Sequence, residues 1–391
     1  MLRGLGAPLA LPSIRISMNK LDHLIEISRH FGANPDYVIA GGGNTSFKTA
    51  ETLWVKASGI ALADIDEQGF VALSREKLGQ METRAYSPDP LQREEEVKSD
   101  LRSAMIGAGG LRPSVETSLH NLIEYPYIVH THPTLVNAVM CADNAGEEIA
   151  ERFGSEALYV KYTDPGYTLF KKLQERIAAY HNRHGRDPRI IFLQNHGVFV
   201  GAGTTEEVKA VYANIFSRIR EGKNLALPDP VAKAYVSPLA RDIAGWLAGR
   251  NLVSASYTGE LIGHFCAGRE NFKKISKPFT PDIIVYCKSN YLFLEKGAGS
   301  DSIRKALDDF HRVYGCDPKV IVEEGGGLIL AEEDESSLRT VLEVFTDMMK
   351  ISYLSEQFGG PHPMTDEQIR VIDQWEAEHY RRSVARNRGR A

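Results

Sequence analysis

Two histidines, His130 and His132, follow the apolar run Tyr127-Ile128-Val129. Alternate side chains of a strand share one face, so this spacing aims both imidazoles the same way, as two ligands of one divalent metal. A catalytic centre usually takes three protein ligands and leaves one position open. His196, in Gln194-Asn195-His196-Gly197, is the candidate third, held in a hairpin turn between strands expected at 189–193 and 198–201. Each histidine alone has a plainer reading. His132 before Pro133 can be a strand end, and His196 an exposed polar turn residue. The combination carries the metal.

Glu116 lies in Arg112-Pro113-Ser114-Val115-Glu116-Thr117. A carboxylate at the start of a helix ordinarily serves the helix dipole. Beside a metal it becomes a base for a proton on carbon next to a carbonyl. Upstream, Gly41-Gly42-Gly43-Asn44-Thr45-Ser46 has no lysine and lacks the third glycine of a dinucleotide fingerprint, which excludes both phosphate-loop patterns. Glycines still let backbone N–H groups converge on an anion, and Asn44 and Ser46 add neutral donors. A second small-residue turn, Ala57-Ser58-Gly59, follows the next strand. The two turns would cradle a phosphate without strong positive charge, or be plain turns.

The elements that position these residues follow from periodicity and breakers. Helices are expected over 20–31, 91–106, 117–123, 168–180 and 205–221, the last capped by Thr204 or Thr205. Strands are expected over 37–40, 53–56 and 127–130, with a loop over 107–113. A proline-containing stretch, 225–238, marks a boundary. Beyond it strands and helices alternate over 283–287, 291–294, 302–313, 319–323, 328–331 and 337–353. Asp187-Pro188-Arg189-Ile190-Ile191 with His196-Gly197-Val198 is echoed by Asp317-Pro318-Lys319-Val320-Ile321 with Gly326-Gly327-Leu328. Either a half-domain is duplicated, with Gly326 where His196 stands, or a common strand-turn-strand-helix unit occurs twice.

A chain of 391 residues suggests two domains, expected at 18–240 for the metal-binding catalytic part and 241–391 for a C-terminal α/β part. Hydrophobic residues make up 43% and charged ones 25%, ordinary for a globular protein. The net charge of −5 argues against nucleic acid, and the basic tail from Arg381 to Arg390 reads as a solvated terminus. Cys141, Cys266, Cys287 and Cys316 form no CxxC pair, which fits free thiols in the cytoplasm. No run approaches the roughly 20 apolar residues of a membrane helix. In the first 17 residues, Pro8 and Pro12 break the apolar run, so this stretch reads as a floppy arm or a displaced start, with Met18 an alternative first residue.

Together and in this order, Gly43-Asn44-Thr45-Ser46, Ser58-Gly59, Glu116, His130 with His132, and Asn195-His196-Gly197 resemble the class II aldolase/adducin family, over residues 37–221. The resemblance implies a catalytic Glu116, metal ligands His130, His132 and His196, and a phosphate site from Gly43, Asn44, Thr45, Ser46, Ser58, Gly59 and Ser114. Arg112-Pro113-Ser114-Val115-Glu116-Thr117, Leu119-His120 and Thr280-Pro281-Asp282 are similar to the aldolase half of bacterial bifunctional rhamnulose-phosphate aldolase/alcohol dehydrogenases, here without a glycine-rich nucleotide fold. The chain departs from the simplest members in three ways. Val115 replaces a second hydroxyl, the segment from Glu116 to His130 is shorter, and no tyrosine matches the expected proton donor. Tyr162 and Tyr167 lie in a suitable region.

The family implies a three-layer α/β/α fold around a mostly antiparallel sheet, here with a C-terminal α/β extension, and a homo-oligomer with a tetramer favoured. It implies a lyase that reversibly cleaves a small phosphorylated ketose through a metal-stabilised enediolate. One divalent ion per chain is expected, with zinc favoured by three imidazoles and iron, cobalt or manganese also compatible. Relatives using the same histidines are epimerases, dehydratases and decarboxylases. A reading of another class is a non-enzymatic adducin-like interaction module. Such relatives typically lack the full histidine set.

Overall fold

The apolar runs around the histidines pair into one seven-stranded sheet in the computed structural model, which describes residues 12–107 and 110–374. Its strands are β1 (Asn44–Lys48), β2 (Thr52–Lys56), β3 (Phe70–Ser74), β4 (Tyr127–Thr131), β5 (Ala157–Val160), β6 (Ile190–Leu193) and β7 (Gly197–Ala202), in the order β3-β2-β1-β4-β7-β6-β5. All neighbours are antiparallel except β5 and β6.

Among the described residues, eight helices cover this sheet: α1 (Pro12–Gly32), α2 (Arg75–Thr83), α3 (Pro90–Ala104), α4 (Thr117–Leu122), α5 (Thr134–Met140), α6 (Ala145–Phe153), α7 (Tyr167–His184) and α8 (Thr205–Arg220). On one face, Leu24, Val136, Ile149 and Ile215 of α1, α5, α6 and α8 pack against Val129, Phe192 and Val200. On the other, α4 and α7 bury Leu119 and Leu173 against Ile128, Ile191 and Phe199, and α2 and α3 bury Leu78 and Leu101 against Leu53 and Val55. The result is the expected three-layer α/β/α arrangement. Burial on both faces explains why β4 and β7 have no exposed side, since a sheet covered by helices on both faces needs apolar residues at every position.

A second sheet holds β8 (Lys233–Ala234), β9 (Val253–Thr258), β10 (Leu292–Leu294), β11 (Val320–Glu323) and β12 (Leu328–Glu332), in the order β10-β11-β12-β9-β8. Its helices are α9 (Pro238–Ala248), α10 (Glu260–Cys266), α11 (Arg269–Lys273), α12 (Pro281–Cys287), α13 (Ser300–Tyr314), α14 (Glu335–Ser355) and α15 (Asp366–Gln374). Ile283 and Phe345 of α12 and α14 pack on one face with Val322 and Leu330, and Ile243 and Leu307 of α9 and α13 on the other with Ile321 and Ile329.

The strand order β10-β11-β12-β9-β8 reproduces β5-β6-β7-β4-β1, down to one parallel pair, β10 with β11. Val322 pairs with Leu328 as Phe192 pairs with Val198. The turns share a left-handed residue, Gly325 at φ 70 and Asn195 at φ 53. His311 bonds Asp317 at 2.7 Å as His181 bonds Asp187 at 2.8 Å. In this register Ser256, Thr258 and Gly326 stand where His130, His132 and His196 stand. The two units share a packed boundary. Cys141, at the end of α5, lies in the apolar cluster of α12 and α14, and Thr134 donates to Asp347 of α14.

Several expected elements differ. Residues 37–40 form turn and loop rather than a strand, with Ala40 at φ 52. The strand starts later, so Asn44, Thr45 and Ser46 lie on β1 and not in a loop. Residues 283–287 are helical, because Pro281 at the first turn follows the extended Thr280 and sets the helix going. Every residue from Ile283 to Cys287 is buried, and a fully buried helix leaves no apolar stripe to distinguish it from a strand. Helix α1 begins at Pro12 and runs through Met18, and Thr204 rather than Thr205 caps α8. The sequence pattern gives no sign of the strands β3, β5, β8 and β9 or of the helices α2, α5, α6, α9, α10, α11 and α15. Expectations for residues 1–11 and for the tail from Arg381 to Arg390 fall outside the described residues. Among the described residues no helix is long and apolar enough to cross a membrane.

Candidate metal centre

Strand β4 lies between β1 and β7, with His130 paired to Asn44 on one side and Phe199 on the other. The Phe199 ring stacks on His130 at 3.9 Å between centroids, which fixes the plane of the imidazole. The chain leaves the strand after Thr131, and the His132 backbone donates to Tyr37 at 3.1 Å. The hairpin of His196 fits beside it because residue 197 is glycine. A Cβ there would lie 2.5 Å from the Thr131 carbonyl and 2.8 Å from the His132 ring.

The three imidazoles converge. Nε2 of His130 lies 3.0 Å from Nε2 of His132 and 3.3 Å from Nε2 of His196. Nitrogens bound about 2.0–2.1 Å from a tetrahedral zinc lie roughly 3.3–3.4 Å apart, so the spacing fits a shared ion. The other ring nitrogens of His130 and His132 are held. Nδ1 of His130 donates to the Val198 carbonyl at 3.0 Å, and Nδ1 of His132 to Oδ2 of Asp282 at 2.5 Å. Both bonds leave an Nε2 lone pair facing the centre. Burial, the largest influence on His130, pushes its pKa well below the imidazole range despite Glu116 nearby. The ring is therefore neutral, the form that ligates a metal.

Glu116 stands at the start of α4, but its side chain makes no capping bond. It turns to the histidines instead, with Oε2 3.4 Å from His130 Nε2 and Oε1 3.3 Å from His196 Nε2. Oε1 is buried without a hydrogen-bond partner among the described residues. An orphaned carboxylate oxygen facing three imidazole nitrogens is unfavourable alone, and a divalent cation would resolve it. Burial, the largest single influence, raises the carboxyl; positive charge at His130, His196 and His132, where a protonated ring or a bound cation supplies it, and the Asn44 amide outweigh burial and bring the pKa down to about 2.

A buried chain of hydrogen bonds backs this carboxylate. Asn44 Nδ2 donates to Glu116 Oε2 at 2.5 Å. Burial lowers His120 to about 3, so its neutral ring has one donor and one acceptor. Nε2–H donates to Asn44 Oδ1, and Nδ1 accepts from Ser46 Oγ at 2.7 Å. Behind it Nζ of Lys48, whose pKa burial lowers to about 7, donates to the carbonyls of His120 and Ile123, at the end of α4.

The expected phosphate cradle is only partly assembled. Gly43, Asn44, Ser58, Gly59 and Ser114 line one cavity of about 40 Å³ with Glu116, His132 and His196. Thr45 and Ser46 do not. Strand alternation turns Thr45 to the opposite face, where it bonds Ser28 at 2.6 Å, and Ser46 is engaged by His120. Nor is the cavity free of lysine, because Lys56 at the end of β2 lines it, with Nζ 2.6 Å from the Ile60 carbonyl. Thr280, Pro281 and Asp282 of the second unit complete the wall. Sequence reasoning gave none of Lys56, His120 or Asp282 a role. His120 and Asp282 stood only in segments quoted for the family resemblance. A larger apolar cavity of about 240 Å³ shares Ser58 and Val115 with the small one and is walled by Met81, Leu101 and Phe170. Tyr167 lines this larger cavity, whereas Tyr162 packs against the cluster of Ile284, Met364 and Ile369. Neither tyrosine lines the cavity at the histidines.

Residues 22–215 match the family described as Class II Aldolase and Adducin N-terminal domain. A curated relative, the uncharacterized oxidoreductase YuxG of Bacillus subtilis (strain 168), is 32% identical over 213 residues, covering 52% of this chain and 29% of that protein. The chain therefore matches less than a third of that relative's length. Among solved structures, the N-terminal class II aldolase domain of a conserved protein from Thermoplasma acidophilum is 27% identical over 56% of this chain and 98% of that one, with a TM-score of 0.44. L-fuculose 1-phosphate aldolase from Glaciozyma antarctica PI12 is 17% identical over 55% of this chain and 76% of that one, with a TM-score of 0.35.

Proposed function

Because the chain belongs to the class II aldolase and adducin family through residues 22–215, we propose that it is a metal-dependent lyase that reversibly cleaves a small phosphorylated ketose. The observation that carries this reading is the convergence of three imidazole Nε2 atoms with the orphaned Oε1 of Glu116, beside a cavity that Glu116, His132 and His196 line. His130, His132 and His196 would hold one divalent ion, with zinc favoured by three imidazoles. When bound, such an ion supplies Lewis-acid polarisation of a substrate carbonyl and charge to offset a developing enediolate.

The remaining work falls to the chain's own groups. Glu116 removes and returns the proton on the carbon beside that carbonyl. Asn44 holds Oε2, which leaves Oε1 as the oxygen that carries the proton. Ser58, Gly59 and Ser114 offer donors to an anionic group, and Lys56 adds positive charge. The complete histidine set supports an enzyme over an adducin-like interaction module. The C-terminal part expected at 241–391, whose sheet and helices take in β8 and the start of α9 as well, is read as a degenerate copy without a metal, since Ser256, Thr258 and Gly326 replace its ligands. A cytoplasmic homo-oligomer, with a tetramer favoured, belongs to the same family reading.

The test is to incubate the purified protein with ketose 1-phosphates and free ketoses and follow carbonyl release. Cleavage should stop on chelation and return with zinc. Metal-dependent formation of an epimer, a dehydrated product or carbon dioxide instead would move the protein to another reaction of the family.

A further inference from the structure

The second unit reaches into the metal centre. Asp282 sits in the first turn of α12, and its Oδ2 accepts from His132 Nδ1 at 2.5 Å. Both side chains are largely buried, at 13% and 16% exposure. The glycine run that sequence suggested as an anion cradle admits this contact. A Cβ on Gly42 would lie 2.9 Å from Asp282 Oδ2 and 3.4 Å from His132 Nδ1, and one on Gly41 would lie 3.0 Å from the Tyr286 hydroxyl. That hydroxyl accepts from the Gly41 N–H at 3.1 Å. The second unit also grips the other ligand-bearing turn, because Asn195, next to His196, donates to the Phe279 carbonyl at 3.0 Å and to that of His362 at 2.9 Å.

We infer that Asp282 is a positioning residue of the metal centre, through which the second unit sets the affinity of the site for its ion. The inference rests on the metal reading proposed above. A carboxylate that accepts Nδ1–H locks the imidazole in the tautomer whose Nε2 lone pair faces the ion, and it makes that nitrogen a better donor. Loss of such a partner typically weakens metal binding about 10–100-fold. The degenerate second unit is retained in this account because it supplies this anchor, not because it carries a site of its own.

The experiment measures zinc affinity of the full chain by competition with a chromophoric chelator, for wild type, Asp282→Ala, Asp282→Asn and the surface control Asp366→Asn. Nitrogen-15 NMR of the imidazoles in metal-free protein reads the His132 tautomer. Asp282→Ala should bind zinc about 10–100-fold more weakly and lose the Nδ1–H form of His132. Asp282→Asn keeps the volume and can still accept through its amide oxygen, so it should fall between Ala and wild type. The control should match wild type. If Asp282→Ala does not fold, the near-isosteric Asn variant must still show weakened binding. Folded variants with wild-type affinity and an unchanged His132 tautomer would overturn this inference alone. A wild type that takes up no ion would remove the metal reading, and this inference with it.

Discussion

The side-chain amide of Asn44 donates to Oε2 of Glu116 across 2.5 Å, while its Oδ1 accepts from His120. Strand β1 therefore spends Asn44 on the candidate base, whereas the sequence pattern places it at a phosphate. Removing a hydrogen bond to a charged group costs about 1.5–3 kcal/mol, so Asn44→Ala should lower kcat roughly 10–100-fold. Phosphorylated and unphosphorylated substrates should suffer alike. A selective rise in KM for phosphorylated substrate at unchanged kcat would return Asn44 to the anion cradle.

The metal should be present at about one ion per chain and not two, as expected from three ligands in the first unit and none of the equivalent ligands in the second. His196→Ala should lose most of it, and Thr258→Ala none. Elemental analysis of the purified variants reads this. Equal metal content in wild type and in the His130, His132 and His196 variants would end the assignment.

Lys56 is buried at 3% exposure and lines the cavity. A charge-assisted bond to a phosphate is worth about 1.5–3 kcal/mol. Lys56→Met should therefore raise KM for a phosphorylated substrate roughly 10–100-fold and barely change an unphosphorylated analogue. Steady-state kinetics on both substrates decides it, and equal losses would mean that Lys56 serves the fold and not the anion.

Acid should destabilise the metal-free protein through His120. Burial lowers its pKa from 6.5 to about 3, with Glu116 pulling upward and Lys48 downward. Between those values the unfolded chain binds a proton that the folded one does not, so stability rises with pH across the window and is lost as pH falls from 6.5 towards 3. The slope is up to about 1.4 kcal/mol per pH unit. Glu116, lowered from 4.5 to about 2, adds a loss of the same sign at the acid end. Thermal melting should fall less steeply with acid in His120→Gln. Parallel curves for variant and wild type would contradict a buried neutral imidazole.

Legibility followed how local each signal was. His130 and His132 could be placed on one face from their spacing alone, and Glu116 and His196 joined them because few residue types do this chemistry. The strand start at Asn44 was missed because a glycine run followed by small polar residues reads as loop. That misplacement sent Thr45 and Ser46 to the cradle. The partner that reassigns Asn44 is 72 residues away, and the carboxylate on His132 is 150 residues away. Lys56 on a strand and Asp282 after a proline have ordinary surface readings, and only the packing of α12 on Gly41 and Gly42 makes Asp282 part of the site. The second unit was legible as an echo in its turn, whereas its full strand order emerged only with pairing across the sheet.

The most direct test is exchange of a carbon-bound proton. Dihydroxyacetone phosphate is incubated in deuterated water with metal-loaded wild type and with Glu116→Gln, which keeps the shape and removes the charge, and exchange is followed by NMR. General-base catalysis contributes about 10²–10⁴-fold. The account predicts exchange by wild type and a loss of that order in Glu116→Gln, with its metal retained. Exchange at the same rate in both would show that Glu116 is not the base and would contradict the account at its centre.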